Sequence, residues 1–246
     1  MKVACLTFTY PRDAIKAYIG SQILPKNWDL FWVIDKKHEH MPVPNNVTKV
    51  ITTFDRGTHL NGKDTIYGFV ELLKMMTEKG YDIVLKLDSD TSLFNPLCFI
   101  NPIIEGGSDF VYVRRYPSEY SVPIANGICY SFSKNCINKY LTNVDFKDLI
   151  MIHHGSEDSI ISHYLVCLHP WPLISQVNKS LIDWSVQQSC QENTIAGHYG
   201  YKDVNYMLNR TNEILTKQGK ENIPQDIINS NFVKQIDEFK TTYNFR

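Results

Sequence analysis

The sequence predicts an α/β domain in which a mixed, mostly parallel central sheet is flanked by helices, with further helices near the C-terminus. Strand-like and helix-like segments alternate over residues 2–88 in the order β-α-β-β-α-β, which is typical of an open sheet covered by helices. The strand-like runs lack a polar face, as parallel strands buried on both sides do. Amphipathic segments near the end of the chain account for the additional helices.

The first half of the chain supplies this alternation. Residues 13–24 carry apolar side chains at helical spacing, and Pro25 ends the helix because proline cannot continue one. The next helix has an apolar face from Ile66 to Met76 and ends at Gly80. The predicted elements are a strand at 2–9, a helix at 13–24, strands at 30–35 and 49–54, a helix from Asn61 or Thr65 to 79, and a strand ending at Asp88.

The second half of the chain has a more mixed pattern. Strands are predicted at 109–114 and 127–132, a short helix at 134–141, a helix that opens at 155–158, and two amphipathic helices at 203–218 and 226–240. Between residue 172 and the first of these last helices, the pattern weakens and predicts loop. Because we find no internal repeat and no convincing linker, we expect one domain spanning residues 1–246.

Composition and charge set limits on the class of protein. A net charge of −1 and a pI of about 6.7 give no electrostatic argument for a nucleic-acid partner. The six cysteines form no close pair and several lie in apolar runs, so we expect buried free thiols rather than disulfides or a zinc site. With no recognisable signal peptide or membrane span, we expect a cytoplasmic protein, of cellular or viral origin.

The most informative segment is Asp88-Ser89-Asp90, which follows an apolar run that reads as a buried strand. Side chains at i and i+2 of an extended chain point the same way, so both carboxylates can face one point. Mg²⁺ and Mn²⁺ favour such oxygens and often bind through few carboxylates plus a substrate diphosphate. A calcium loop fails on spacing, because Leu93 and Phe99 occupy positions that require glycine and glutamate. A plain turn or helix cap is the alternative.

Three later features are each compatible with an ordinary structural role. Gly127 opens a strand, where it allows either close approach to a ligand or a bulge. Glu157 and Asp158 follow a good N-cap, Ser156; acids there suit the helix dipole, and either could also serve as a general base. His198 is flanked by Gly197 and Tyr199-Gly200, so we expect it on a flexible, exposed loop, as a metal ligand or simply a surface residue.

Taken in order, these motifs resemble the GT-A-fold family of glycosyltransferases, which use nucleotide-sugar donors and a divalent metal. The resemblance covers residues 3–200 by motif placement: the alternating strands, Asp88-Ser89-Asp90, the Gly127 strand, Glu157-Asp158 and His198. It implies a GT-A-like, Rossmann-like fold with a nucleotide-sugar-binding half at 1–95, an acceptor-side half at 96–200 and a C-terminal helical segment at 201–246. Many relatives have a more acidic triplet than one with Ser89 at its centre, and some have a glycine pair at the Gly127 position.

The resemblance also implies a division of roles among the candidate residues. Mn²⁺, or Mg²⁺, would be held by Asp88, Asp90 and His198, and Asp158, or else Glu157, would take the proton of the acceptor hydroxyl. This arrangement implies inversion at the anomeric carbon, with retention as the alternative. The residues expected to bind the donor, most simply a UDP-sugar, are Thr7, Thr9, Tyr10, Arg12, Asp35, Asn61, Lys63, Asp64 and Ser89.

Several alternatives remain open at this point. A nucleotidyltransferase would use similar aspartates but usually has a glycine-rich phosphate loop after the first strand, whereas Thr9 to Asp13 contain no glycine. A non-catalytic sugar- or nucleotide-binding protein could keep the same fold. A hexosyl- or pentosyltransferase could act on a glycan, a protein or, as a minority option, a hydroxymethylated base in DNA. The acceptor-side candidates are Arg114, Arg115, Tyr116, Tyr120, Trp171 and Trp184.

Overall fold

The structure is a computed structural model that describes residues 1–53, 62–114, 125–153, 157–167, 172–177, 182–184 and 192–245. Its strands and helices, in chain order, are β1 (Val3–Phe8), α1 (Ala14–Ser21), β2 (Asp29–Asp35), β3 (Val47–Thr52), α2 (Gly62–Glu78), β4 (Ile83–Asp88), β5 (Thr91–Leu93), α3 (Leu97–Ile104), β6 (Phe110–Arg114), β7 (Ala125–Ser133), α4 (Lys134–Cys136), α5 (Lys147–His153), α6 (Glu157–Cys167), β8 (Ile174–Val177), β9 (Ile182–Trp184), β10 (Ala196–His198), α7 (Val204–Lys217) and α8 (Asn231–Thr242).

A seven-stranded sheet forms the centre of the fold, in the order β3-β2-β1-β4-β7-β6-β8. Its neighbouring strands pair in parallel except where β7 runs antiparallel to both β4 and β6, so the predicted mixed, mostly parallel sheet is confirmed. The chain adds β2 and β3 on one side of β1 and then returns to place β4 on the other side. The carboxyl ends of β1 and β4 therefore flank a topological switch point, where open α/β sheets bind ligands.

Both faces of the sheet are covered by helices, as the apolar strands predict. Alternate residues of β1 enter two separate cores, with Val3 and Cys5 on one face and Ala4 and Leu6 on the other. The first core includes buried side chains of α1, α7 and α8, and the second includes those of α2 and α6. The C-terminal helical segment therefore belongs to the same packed core as the first strand, and Phe232 of α8 lies edge-on to Trp32, 5.6 Å between ring centroids.

Some predicted elements have different bounds in the structure. The helix predicted at 226–240 is a short 3₁₀ turn followed by α8, because the Ser230 side chain caps α8 by accepting from the backbone N–H of Val233. The short helix at 134–141 is α4 continued by a π-helical turn to Leu141. The segment predicted as loop after residue 172 contains the strands β8, β9 and β10. The sequence analysis also did not predict α3, α5 and β5. Strands of three or four residues are too short to show periodicity.

The cysteine prediction holds only in part. Cys5, Cys98, Cys129, Cys136 and Cys167 form no disulfide in the structure, and Cys190 lies outside the described residues. Burial raises the pKa of the Cys5 thiol to about 12, which makes it an unreactive core residue. Cys167 was expected to be buried and is exposed, because it is the last residue of α6. Across the described ranges, no helix combines the length and apolar character needed to cross a membrane.

Candidate active site

The two aspartates lie where β4 ends beside β1. Phe8, the last residue of β1, is paired with Asp88, and the chain then turns through Ser89 and Asp90 before β5 begins. The expectation that both carboxylates share one face of an extended strand is therefore wrong, because Asp90 is in a turn. The turn still brings Asp90 close enough to Asp88 for their charges to interact.

His198 is placed by strand pairing rather than by a loop. It ends β10, which runs antiparallel to β5 with His198 opposite Thr91, the residue after Asp90. The prediction of a flexible, exposed loop is wrong, since the His198 side chain is only 22% exposed. The backbone N–H of Tyr199 also donates to the Asp90 carbonyl oxygen at 2.9 Å, which fixes the histidine strand to the aspartate turn.

Asp88, Asp90 and His198, hereafter the acid–histidine cluster, lie close enough together to hold a metal ion. Each offers one ligand atom, and these atoms lie within 4.8 Å of one another. His198 Nε2 is 3.3 Å from Asp90 Oδ1. Burial raises the pKa of Asp90, His198 opposes this shift, and the charge of Asp88 adds to it. Two carboxylates and an imidazole are a donor set that suits Mn²⁺, and a divalent cation would relieve the repulsion between the acids.

A further observation supports a cation at this place. Asp90 Oδ1 is buried, and His198 Nε2 lies 3.3 Å from it without forming a hydrogen bond. A buried carboxylate oxygen without a hydrogen bond is costly, so a cation at this place would stabilise it. The residues present therefore fit a divalent metal ion.

The strands β5, β10 and β9 form a small sheet that carries His198, and α7 is tied to this sheet by an ion pair. Arg210 of α7 makes a two-pronged ion pair with Asp183 of β9, at 2.9 Å from Nε to Oδ2 and 3.0 Å from Nη2 to Oδ1. Both side chains are buried. The Tyr199 hydroxyl also donates to Asp183 Oδ2, at 3.3 Å. Arg210 therefore fixes β9, the strand that pairs with the His198 strand β10 in the small sheet.

We expect Arg210→Met to lower the free energy of unfolding by about 3–5 kcal/mol, because Asp183 then stays buried without its cation. Urea denaturation of the wild-type and variant proteins measures this difference. Lys217→Met, on the same helix, is the matched control: Lys217 pairs with Glu213 at the surface, and its loss should cost about 1 kcal/mol or less. Equal stability losses in the two variants would contradict a structural role for the buried pair.

Lys86 is a site residue that the sequence analysis missed. Its side chain is 1% exposed, and its ammonium group donates to Asp88 Oδ1 and to the carbonyl oxygen of Gly127. The same ammonium lies 5.3 Å from the ring centroid of Tyr130. The signal was present in the sequence, since a lysine interrupts an apolar strand two residues before Asp88, on the same face.

Gly127 faces the site from β7, beyond the point where β7 pairs regularly with β4. A β-carbon at Gly127 would lie 3.1 Å from Asp158 Oδ2 and 3.6 Å from both Asp88 Oδ2 and Lys86 Nζ. The pairing of β6 with β7 also shifts register between Tyr112 and Arg114, which agrees with the bulge interpretation of this segment, whereas close approach to a ligand stays a prediction. Three charged groups therefore converge on one point that only glycine leaves open.

Asp158 lies in the first turn of α6 and is buried. Its Oδ1 accepts a hydrogen bond from the backbone N–H of Ser159 at 2.8 Å, and its Oδ2 lies on the Gly127 side. The structure thus brings Asp158 and Asp88 to the same side of Gly127. Glu157, the preceding residue, is half-buried.

Five of the residues predicted to bind the donor, Thr7, Thr9, Tyr10, Arg12 and Asp35, lie at or just after the carboxyl ends of β1 and β2, but their side chains differ in availability. Thr7 and Thr9 are buried, and Thr9 Oγ1 donates to the Thr7 carbonyl oxygen at 3.2 Å. Tyr10 is half-buried with its ring edge-on to His38. Arg12 is 81% exposed and pairs with Asp13.

Asp35 and Ser89 complete the described donor candidates. Asp35 Oδ1 accepts from the backbone N–H of Lys37 and Oδ2 pairs with Lys37 Nζ at 3.2 Å, so Asp35 also caps a short turn. Ser89 is buried in the aspartate turn. Asn61 lies outside the described residues, as do the side chains of Lys63 and Asp64 in the first turn of α2. The acceptor-side residues Arg115, Tyr116, Tyr120 and Trp171, and the side chains of Arg114 and Trp184, also lie outside them.

Sequence comparison gives no relative: no protein-family model matches the chain, and no curated protein matches it. The solved structures that are similar in fold include two glycosyltransferases. One is a glycosyltransferase involved in the glycosylation of the major capsid of PBCV-1, with a TM-score of 0.51 and 10% identity over 88% of this chain and 100% of that one. The other is the glycosyltransferase GlyE of Streptococcus pneumoniae TIGR4, with a TM-score of 0.52 and 10% identity over 98% of this chain and 64% of that one.

At this identity the likeness concerns the fold, which is the one that the order of motifs predicts. A mixed sheet flanked by helices, a topological switch point beside β4 and the paired acids at that point are all present in this chain. The chain therefore has the fold of these glycosyltransferases.

Proposed function

We propose that this protein is a metal-dependent glycosyltransferase that moves a sugar from a nucleoside diphosphate sugar, most simply a UDP-sugar, to an acceptor hydroxyl. The observation that carries this proposal is the acid–histidine cluster at the carboxyl end of β4, on a fold shared with glycosyltransferases. A cluster of this kind at a topological switch point suits a metal-bound diphosphate.

Asp88, Asp90 and His198 are the residues that would hold Mn²⁺ or Mg²⁺. When bound, the ion supplies positive charge to the diphosphate leaving group. The protein's own part is to hold the ligand atoms together before the donor arrives, and the pairing of β10 with β5 does this. Preorganised charge of this kind needs no rearrangement during the reaction.

Asp158 is our candidate for the general base. Its Oδ2 and Asp88 Oδ2 lie 3.1 and 3.6 Å from the position that a β-carbon on Gly127 would take, so the candidate base and the metal cluster are neighbours, and we call the region between them the proposed reaction space. An acceptor hydroxyl bound in this region could pass its proton to Asp158 while attacking the anomeric carbon, which gives inversion in a single displacement. Glu157 is the second candidate, since it belongs to the same helical turn.

The donor nucleotide is proposed to lie along the ends of β1 and β2. Tyr10 can stack against the base, the exposed Arg12 can reach a phosphate, and Asp35 can accept from the ribose or base. Thr7 and Thr9 would contribute main chain and shape, because the Thr9 hydroxyl is used internally. Asn61, Lys63, Asp64 and Ser89 complete the proposed donor-binding set.

A thermal-shift screen of nucleotide sugars, each with and without Mn²⁺, tests this proposal, followed by detection of the released product. We expect stabilisation that needs both the donor and Mn²⁺, and release of a nucleoside diphosphate. Pyrophosphate release from a nucleoside triphosphate and a sugar phosphate would indicate a nucleotidyltransferase instead. Nucleotide binding that does not depend on Mn²⁺, together with no transfer to any acceptor, would indicate a non-catalytic binding protein.

Gly127→Ala is expected to lower kcat by roughly ten- to a hundredfold, because the new methyl group would lie 3.1 Å from Asp158 Oδ2 and enter the reaction space. The affinity for Mn²⁺ should change less than kcat, because the methyl group would keep an ordinary contact distance of 3.6 Å from Asp88 Oδ2. Steady-state kinetics and a Mn²⁺ titration of the same preparation measure both properties. A variant with wild-type kcat would show that the reacting groups do not meet above Gly127.

A further inference from the structure

Lys86 is an unusual residue for the centre of a sheet. It sits in β4 between Leu6 of β1 and Tyr130 of β7 and is almost wholly buried. Lysine is rarely buried to this extent unless it is paired, because removing its charge from water is costly. Its partners here are the Asp88 carboxylate and the Gly127 carbonyl oxygen, both of which belong to the proposed reaction space.

The two carboxylates near Lys86 give its buried positive charge a structural role. Asp88 and Asp158 each place an oxygen within 3.6 Å of the point above Gly127, and Lys86 Nζ is at the same distance from that point. Like charges held together in a buried place repel each other. An ammonium group among them offsets this repulsion in the protein without any bound ion.

The same position has a consequence for metal binding. A positive charge that is hydrogen-bonded to one carboxylate of the acid–histidine cluster repels a second cation at that cluster. The protein alone would then hold a divalent ion weakly. A diphosphate donor adds negative charge and would favour retention of the ion, so metal and donor would be held together.

We propose that Lys86 is the built-in counter-ion of Asp88: it stabilises the site while no divalent ion is bound, and it weakens the binding of such an ion in the absence of a donor. This inference rests on the proposed function, since it assumes that the acid–histidine cluster binds a divalent metal. It assigns Lys86 a positioning and charge-balancing role that acts through Asp88.

Titration of Mn²⁺ alone into the full chain, by calorimetry or by electron paramagnetic resonance, tests this role. We expect Lys86→Met to bind Mn²⁺ about tenfold more tightly than wild type, or better, because a nearby positive charge is gone. In the presence of a chelator, the melting temperature of Lys86→Met should be lower than that of wild type. Adding Mn²⁺ should raise the melting temperature of the variant by more than it raises that of wild type. Lys86→Gln, which keeps a hydrogen-bond donor but not the charge, should show the same gain in affinity if the methionine variant fails to fold.

Lys220→Met is the control outside the site, because Lys220 also donates to a main-chain carbonyl oxygen, that of Phe94, but is exposed and pairs with no acid of the site. This variant should bind Mn²⁺ with the affinity of the wild type. Unchanged or weaker Mn²⁺ binding in the Lys86 variants, beside a wild type that does bind Mn²⁺, would overturn this inference alone. A wild type that binds no Mn²⁺, with or without nucleotide, would overturn the proposed function and this inference with it.

Discussion

Asp90→Ala is expected to abolish sugar transfer and Mn²⁺-dependent donor binding together. Asp90 follows Asp88 in the same turn and contacts the His198 strand twice. Its carboxylate lies 3.3 Å from His198 Nε2, and its carbonyl oxygen accepts a hydrogen bond from the backbone N–H of Tyr199. Metal-assisted stabilisation of a leaving group is worth several kcal/mol, so transfer should fall by about a thousandfold or more. Steady-state transfer rates and a titration of UDP with and without Mn²⁺ measure the two losses.

The loss of transfer in Asp90→Ala should come from loss of the metal site and not from unfolding, and two further variants distinguish these causes. Burial raises the pKa of Asp90, so its charged form costs stability in the metal-free protein at pH values above the ordinary range of an aspartate. The neutral Asp90→Asn variant should therefore be at least as stable as wild type at pH 7 without metal. It should be as inactive as Asp90→Ala. Asp237→Ala, which removes an exposed acid from α8, should leave both activity and stability near wild type. Manganese-dependent UDP binding that survives in Asp90→Ala would contradict the proposed metal site.

The parts of the fold that could be predicted from sequence are those encoded by long apolar patterns. The strands β1, β2 and β4 and the helix α2 are visible because each buries a continuous run or a wide helical stripe, whereas the edge strand β3 buries only Val47 fully. Their order places the carboxyl end of β4 beside β1, so Asp88 could be assigned to a ligand site from sequence. The helices α7 and α8 were also found, but not their packing against the face that α1 covers.

The placement of His198 shows what such patterns do not reveal. Its position depends on the pairing of β10 with β5, two strands of three residues that are far apart in the chain. Short strands have no measurable periodicity, and their pairing is decided by tertiary contacts such as the buried Asp183–Arg210 ion pair. The order of motifs pointed to His198, but its distance from the aspartates could only come from the structure.

Asp158→Asn is expected to lower kcat by a factor on the order of 10²–10⁴, the usual range for loss of a general base. The asparagine side chain has nearly the same shape, and its carbonyl oxygen can still accept from the backbone N–H of Ser159, so the start of α6 should be preserved. Since Asp158 is not part of the acid–histidine cluster, Mn²⁺ affinity and the KM of the donor should stay near wild type. Steady-state kinetics across pH should also show that the acidic limb of the kcat/KM profile is lost.

Glu157→Gln is the matched control, because Glu157 is the neighbouring acid in the same helical turn and is only half-buried. If Asp158 is the base, the glutamine variant should keep most of the wild-type rate, whereas a large loss in Glu157→Gln and a small one in Asp158→Asn would assign the base to Glu157. The anomeric configuration of the product, read by nuclear magnetic resonance, makes the test independent of rates. A base that activates the acceptor for direct attack requires inversion, so a retained configuration would exclude this role for Asp158 whatever the kinetics of its variants.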